Sequence, residues 1–224
     1  MARRPVGPAQ GGGTDGDDGI VAAALALAEE VGWDNVRLHE VAERAAVPVA
    51  EVRRRFRDAD AIADAWLAHA DMAMLAPYDA GFAARPARER LYESLCRWLD
   101  ALAPHRRVTA EMLRTKLWPF HPHHYVPLVF WLSRTVQWWR EAALLDAPAP
   151  QRQVEEIGLT WIFVATVAYW GCDRSPGQER SKAFLRRRLE QADWLMVRTF
   201  APPVRRAARP GRRPSPRTRA GDAG

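Results

Sequence analysis

The chain has 224 residues and a formal net charge of +6, a length that suits one large domain or two small ones with a buried core. Residues 201–224 hold seven arginines and one aspartate, so their charge is 7 − 1 = +6 and residues 1–200 are neutral overall. The overall charge therefore does not by itself indicate a basic folded surface. The two cysteines, Cys96 and Cys172, lie in apolar helical patterns, which argues against a disulfide framework and predicts buried thiols in a reducing compartment.

The N-terminal part of the chain combines a polar arm with a small helical unit. Residues 1–17 are rich in Gly and are predicted to be disordered. Residues 18–57 show one apolar stripe and then two shorter apolar sets that change phase at Val47 and Pro48, which predicts a helix-turn-helix. These sets are Ile20, Ala24, Leu27, Ala28 and Val31, then Val36, Val41, Ala42 and Ala45, and finally Val52 and Phe56.

Residues 58–200 are predicted to form a larger helical bundle. Helical stripes cover about 59–75, 87–101, 108–117, 128–145, 154–170 and 176–200, with an irregular loop around Pro119, Pro122 and Pro127. Ser175 is predicted to cap the last helix, with Gln178 completing a capping box. Because strand patterning is missing, the predicted fold class is all-α with about nine helices. The Pro- and Arg-rich residues 201–224 are predicted to be a disordered tail, either a solubilising appendage or a contact for phosphate or an anionic membrane.

The helix that follows Pro48 is the first candidate site, because its outer face carries several arginines. A helix that enters the DNA major groove needs donors and small apolar groups for base edges and cations for phosphates. The predicted phosphate contacts are Arg37, Arg53 and Arg55, and the predicted base contacts are Val49, Ala50, Glu51 and Arg54. The alternative is a solvated, Arg-rich helix with no role in DNA binding.

Aromatic residues are the second candidate feature, since eight of the ten tryptophans lie after residue 90. Large rings that pack imperfectly favour an apolar pocket, although a bulky core explains them equally well. The predicted ligand-binding residues are Trp98, Trp118, Tyr125, Trp131, Trp138 and Trp161. The helix over 154–170 is apolar on most sides and must be buried, within the domain or against another subunit, so the last two helices are predicted to form a homodimer.

The sequence gives little support for a metal site, an enzyme, or a secreted or membrane protein. The segment His121-Pro122-His123-His124 is predicted to be a loop without a metal, because the prolines prevent helical ligand spacing. No nucleophile elbow, phosphate loop or dinucleotide fingerprint is present, so neither an enzyme nor a cofactor is predicted. There is no secretory signal, and the most apolar run is shorter than the roughly 20 residues of a membrane span. A cytoplasmic protein is therefore expected.

The apolar positions of residues 18–57 resemble the DNA-binding domain of TetR-type transcriptional regulators. The matching residues are Val36, Val41, Ala42, Ala45, Val47, Val52 and Phe56. The family commonly has Gly where Ala46 stands and Thr where Glu51 stands. This resemblance implies a ligand-responsive regulator that binds operator DNA as a homodimer.

Residues 88–196 resemble a second group, the lipid-binding ubiquinone-biosynthesis accessory proteins, which keep a TetR-like fold. The resemblance rests on Ala101-Leu102-Ala103-Pro104-His105-Arg106, Arg134-Thr135-Val136, Trp139-Arg140, Asp173-x-Ser175-Pro176 and Phe184-Leu185-x-x-Arg188-Leu189. It implies the alternative function of an isoprenoid- or lipid-binding accessory protein without DNA binding.

Overall fold

The computed structural model describes residues 14–116 and 122–200 of the chain. Within these two ranges the regular structure is helical, with short 3-10 turns between helices and no strand. The predicted all-α fold is therefore confirmed. The greater part of the predicted N-terminal arm and the whole C-terminal tail lie outside the described residues.

The N-terminal unit consists of three helices, α1 (Thr14–Val31), α2 (Leu38–Arg44) and α3 (Val49–Arg55), with a 3-10 turn at Trp33–Asn35. Helix α1 thus begins inside the arm predicted over 1–17. Most of the predicted apolar positions form the core, and Val41, Ala42 and Val52 are at most 1% exposed. Val31 is 42% exposed, which contradicts its prediction, because it is the last residue of α1; Ala45 is half-buried. Covering these side chains by α1 removes them from water and holds α2 against α3.

The turn between α2 and α3 ends α2 with two backbone hydrogen bonds. The Ala46 N–H donates to the Glu43 carbonyl at 3.1 Å, and the Val47 N–H donates to the Ala42 carbonyl at 3.0 Å. This is the Schellman arrangement, which places the residue after the helix in the left-handed region. Ala46 accordingly has φ of 54°, which explains why glycine suits this position.

The remaining helices are α4 (Ala59–Leu75), α5 (Ala87–Leu102), α6 (Arg106–Lys116), α7 (Pro122–Ala142), α8 (Gln151–Cys172) and α9 (Glu179–Phe200). Helix α4 connects the N-terminal unit to this body and packs along α5 and α7, while α8 lies between α7 and α9. Aromatic rings fill the centre: Phe163 makes ring contacts with Trp98 and Trp139, and both tryptophans are fully buried.

Two helix starts differ from the predictions. Helix α7 begins at Pro122, within the predicted loop, because a first-turn proline leaves no intrahelical hydrogen bond unmade. Pro127, also predicted in the loop, lies inside α7, where it removes only one backbone donor. Ser175 has the predicted capping contact, because its Oγ accepts a hydrogen bond from the Arg180 N–H in the first turn of α9 at 3.1 Å. The predicted capping box is wrong, since the Gln178 side chain instead accepts a hydrogen bond from the Trp170 indole and donates to Asp100. A 3-10 turn at Pro176–Gln178 therefore precedes α9.

The two cysteines have different environments. Cys96 is buried, as predicted, and burial raises the pKa of its thiol to about 11. Cys172 is exposed, which contradicts the prediction, because it stands at the end of α8 where the apolar packing stops. Both thiols are free.

Candidate DNA-binding surface and ligand cavity

The outer face of α3 presents side chains to solvent at the edge of the N-terminal unit. Val49 is 49% exposed, and Ala50, Arg53 and Arg54 are also exposed. Val52, on the opposite face, is fully buried and fixes the rotation of the helix. Because Val52 is held in the core, the first turn of α3 and the side chains of Arg53 and Arg54 are exposed on the outer side of the helix.

Glu51 does not face solvent as a separate acidic group, because two arginines of α3 neutralise it. Arg54 donates to Glu51 Oε1 at 2.5 Å and Arg55 donates to the same oxygen at 2.6 Å. These hydrogen bonds lower the pKa of Glu51. The carboxylate is therefore already engaged within α3.

Arg55 connects α3 to α1. Its Nη1 donates to Asp17 Oδ1 at 2.7 Å, and the side chain is only 21% exposed. Gly16 of α1 leaves room for the guanidinium. The hydrogen bonds that Arg55 donates to Glu51 and Asp17 raise the pKa of its guanidinium. Arg55 thus ties α3 to α1, whereas Arg53 and Arg54 point away from the body.

Arg37 supplies a further cation in the same unit. It precedes the first residue of α2 in extended conformation and is exposed. Within the described ranges, neither Arg37 nor Arg53 forms an ion pair. Both guanidiniums are therefore available to an external anion.

A cavity of about 400 Å³ lies between α6, α7 and α8, within the size range of small-molecule sites. Its wall is largely apolar and includes Leu113, Trp131, Leu132, Phe163, Val164 and Val167. Arg114 is the one charged side chain among the described residues that line it. The chemistry of this lining suits a predominantly apolar ligand.

The predicted ligand-binding residues do not share one environment in the structure. Trp131 lines the cavity, while Trp98 is fully buried and donates from its indole to Asp71 at 2.8 Å. Trp138 and Trp161 are 45% and 71% exposed and do not line the cavity. Trp118, His121 and the side chains of His123, His124 and Tyr125 lie outside the described residues. The backbone of residues 122–124, predicted to be a loop, belongs to α7, so the loop prediction is wrong there.

Helix α6 connects the cavity to the N-terminal unit, a relationship that sequence patterns did not reveal. Its residues Leu113 and Arg114 line the cavity, and its Glu111 accepts a hydrogen bond from the Trp33 N–H at 2.8 Å. Arg107, also on α6, forms an ion pair with Glu29 of α1 at 3.0 Å. One helix therefore contacts both the cavity and the N-terminal unit.

The Asp173-x-Ser175 motif organises the start of α9. Asp173 is buried and accepts hydrogen bonds from the backbone and hydroxyl groups of Ser175 and Ser181, at 2.6–2.9 Å. Burial alone would raise the pKa of Asp173, but the hydrogen bonds from Ser181 and Ser175 outweigh it and hold the pKa below the ordinary value. In this structure the motif orders a helix start.

An apolar surface remains exposed on α8 and α9. Its residues are Val154, Ile157, Trp161, Trp194, Leu195 and Val197, each between 44% and 71% exposed. On α8 the three residues follow helical spacing and therefore share one face. The prediction was burial within the domain or against another subunit, and within the single chain this face of α8 is exposed to solvent.

Residues 14–116 and 122–200 contain no group of three or more side chains that is suited to hold a metal ion. No helix within those ranges has both the length and the apolar character that crossing a membrane requires.

Two solved structures are similar to this chain over most of its length. A TetR transcriptional regulator from Nitrosomonas europaea ATCC 19718 has 41% sequence identity and a TM-score of 0.70, with 80% of this chain and 98% of that chain covered. A TetR transcriptional regulator from Rhodococcus sp. RHA1 has 18% identity and a TM-score of 0.59, with 84% and 97% covered, and this likeness concerns the fold alone. Neither a family model nor a curated protein matches the chain.

Proposed function

Because the chain belongs to the TetR family of transcriptional regulators, we propose that it binds operator DNA as a homodimer through α2 and α3. We further propose that an apolar ligand in the cavity changes this binding through α6. The predicted contacts Arg37, Val49, Ala50, Arg53 and Arg54 carry the DNA interaction. Arg55 positions the helix through its ion pair with Asp17, and Glu51 holds Arg54 and Arg55 within α3.

The exposed face of α3 is the observation that carries the proposal. Val49 and Ala50 offer small apolar groups to base edges at the start of the helix, such as the methyl group of thymine. Arg53, with no partner in the described part of the chain, offers its guanidinium to phosphate. Burial of Val52 holds this face outward.

Gel shifts and genomic pull-down with the full chain test the proposal. The double variant Arg37→Ala and Arg53→Ala is expected to weaken DNA binding about tenfold and to reduce the salt dependence by about two phosphate contacts. The matched control is Arg180→Ala with Arg187→Ala, which removes equal charge from exposed positions of α9. An absence of DNA enrichment for the wild type, or wild-type affinity in the first variant, would refute the proposal.

The exposed apolar surface of α8 and α9 supports the homodimer. Covering Ile157, Trp161 and Trp194 removes large side chains from water, which favours association. A twofold arrangement would set these surfaces of two chains against each other. Sedimentation analysis of the wild type at micromolar concentration tests this, with twice the mass of one chain expected.

The alternative proposal is a lipid-binding accessory protein of ubiquinone biosynthesis, and the apolar wall of the cavity is the observation that favours it. On this alternative the basic residues 201–224 would contact a membrane surface. Mass spectrometry of the purified protein tests for co-purifying isoprenoid lipid, which the accessory role requires. The gel shifts distinguish the two proposals, since the accessory role excludes DNA binding. Normal quinone levels in a deletion strain would refute that role.

A further inference from the structure

Taking the proposed function as its basis, we infer that the cavity binds an apolar molecule that carries one anionic group, such as an apolar carboxylate. Arg114 binds the anion and gives up its contact with Asp34.

The distribution of polarity in the cavity indicates an amphiphilic ligand. The inner wall is formed by side chains such as Leu113, Trp131 and Phe163, which have no charge to offer. Arg114 has 70% of its side chain exposed, so it lies where the cavity meets solvent. A ligand whose hydrocarbon part contacts the apolar wall and whose anionic group lies at the opening beside Arg114 complements both features of the cavity.

The present partner of Arg114 is easily exchanged. Arg114 Nη2 lies 3.8 Å from Asp34 Oδ2, which is longer than a hydrogen bond, and both side chains are more than half exposed. Such a pair contributes little to stability. Asp34 has a second partner, because its Oδ1 accepts a hydrogen bond from Thr115 at 2.8 Å. Losing Arg114 therefore leaves Asp34 with a polar neighbour.

The exchange links the ligand to the DNA-binding unit. Asp34 belongs to the turn Trp33–Asn35 that joins α1 to α2, and Arg114 belongs to α6. When an anion binds the Arg114 guanidinium, one of the contacts between α6 and this turn is lost. A neutral or cationic molecule in the same cavity leaves that contact in place.

Calorimetric titration of the full chain with decanoate, 1-decanol and decyltrimethylammonium tests the inference, because the three probes share one alkyl chain and differ in charge. Decanoate is expected to bind about fivefold more tightly than decanol, and the cation least tightly. Arg114→Gln should remove this preference while decanol affinity stays within about twofold. Asp34→Asn should strengthen decanoate binding about threefold, because the competing carboxylate is gone.

Two further variants serve as controls. Arg187→Gln removes an exposed charge on α9, and all three affinities should remain as in the wild type. Ala168→Phe adds a ring at an exposed position of the cavity wall, and it should weaken decanoate and decanol alike.

Equal affinity for decanoate and decanol, a preference that survives in Arg114→Gln, or no binding of any probe would overturn the inference. Gel shifts without a probe test operator binding separately. A failure there concerns the proposed function and leaves the ligand measurements to be judged independently.

Discussion

The carboxylate of Glu111 accepts a hydrogen bond from the backbone N–H of Trp33 at 2.8 Å, although the two residues lie 78 positions apart. Glu111 is on α6, next to Ala110 of the cavity wall, and Trp33 begins the turn between α1 and α2. Glu111 also forms an ion pair with Arg107 at 3.0 Å. The cavity wall and the N-terminal unit are therefore joined by a specific polar contact.

Replacing Glu111 with Ala is expected to lower the free energy of unfolding by about 1–2 kcal/mol, because the Trp33 N–H loses its acceptor at a partly buried position. Urea unfolding measures this change, and hydrogen exchange of the Trp33 amide should become faster. Glu190→Ala, at an exposed position of α9, is the control and should change neither quantity. Unchanged protection of the Trp33 amide in Glu111→Ala would contradict the assignment.

Replacing Ala46 with Gly is expected to stabilise the N-terminal unit by about 0.5–1 kcal/mol. Ala46 has φ of 54°, where a β-carbon costs about 1–2 kcal/mol and glycine has no such penalty. The matched control is Ala50→Gly, which places glycine inside α3 and should destabilise the protein by about the same amount. Thermal unfolding of the two variants should therefore shift in opposite directions, and a shift in the same direction would refute the argument.

Much of the helical framework could be predicted from the sequence because the apolar residues that are buried recur at helical spacing. The phase change at Val47 and Pro48 correctly predicted two helices that meet at a turn, with Val52 and Phe56 in the core. A position at which this sequence differs from the common TetR pattern was also informative about the backbone. The alanine at position 46 adopts the positive φ that the common glycine of the family would adopt readily.

The partners of individual side chains could not be predicted in this way, because they depend on distant segments. Arg55 looked like one more exposed cation of α3, yet it pairs with Asp17 of α1. Trp161 looked like a cavity residue but is 71% exposed, since an abundance of tryptophan does not indicate which face each ring occupies. The role of Arg114 at the opening of the cavity left no pattern in the sequence.

Replacing Glu51 with Ala is expected to tighten DNA binding roughly threefold at low salt. The carboxylate now holds Arg54 at 2.5 Å, so its loss frees that guanidinium for phosphate and removes a repulsive charge. The affinity should also depend more steeply on salt. Glu43→Ala removes the same charge from an exposed position of α2 and is expected to have a smaller effect. Weaker binding of Glu51→Ala would show that the carboxylate itself contacts DNA.

Replacing Asp173 with Asn is expected to cost about 2 kcal/mol of stability, because the buried carboxylate accepts hydrogen bonds from Ser175 and Ser181. The pKa of Asp173 in the folded chain lies below its ordinary value of 3.8. The contribution of the Asp173 carboxylate to the free energy of unfolding is therefore complete above about pH 4 and is lost as the pH falls toward the folded-state pKa. Denaturant unfolding between pH 3 and pH 7 should show a smaller loss toward acid in Asp173→Asn than in the wild type, whereas equal losses would contradict the account.

Replacing Trp161 with Glu is expected to convert the proposed homodimer into a monomer. The indole is 71% exposed on α8, so in the free chain the new carboxylate remains in water and the fold is retained. In a dimer the same carboxylate would be buried against an apolar surface at a cost of several kcal/mol. Sedimentation analysis should show half the wild-type mass, with an unchanged helical circular dichroism spectrum. Met72→Glu, at a methionine that is 67% exposed on α4, introduces the same charge away from the α8 and α9 surface and should leave the dimer intact. A dimeric Trp161→Glu would place the interface elsewhere.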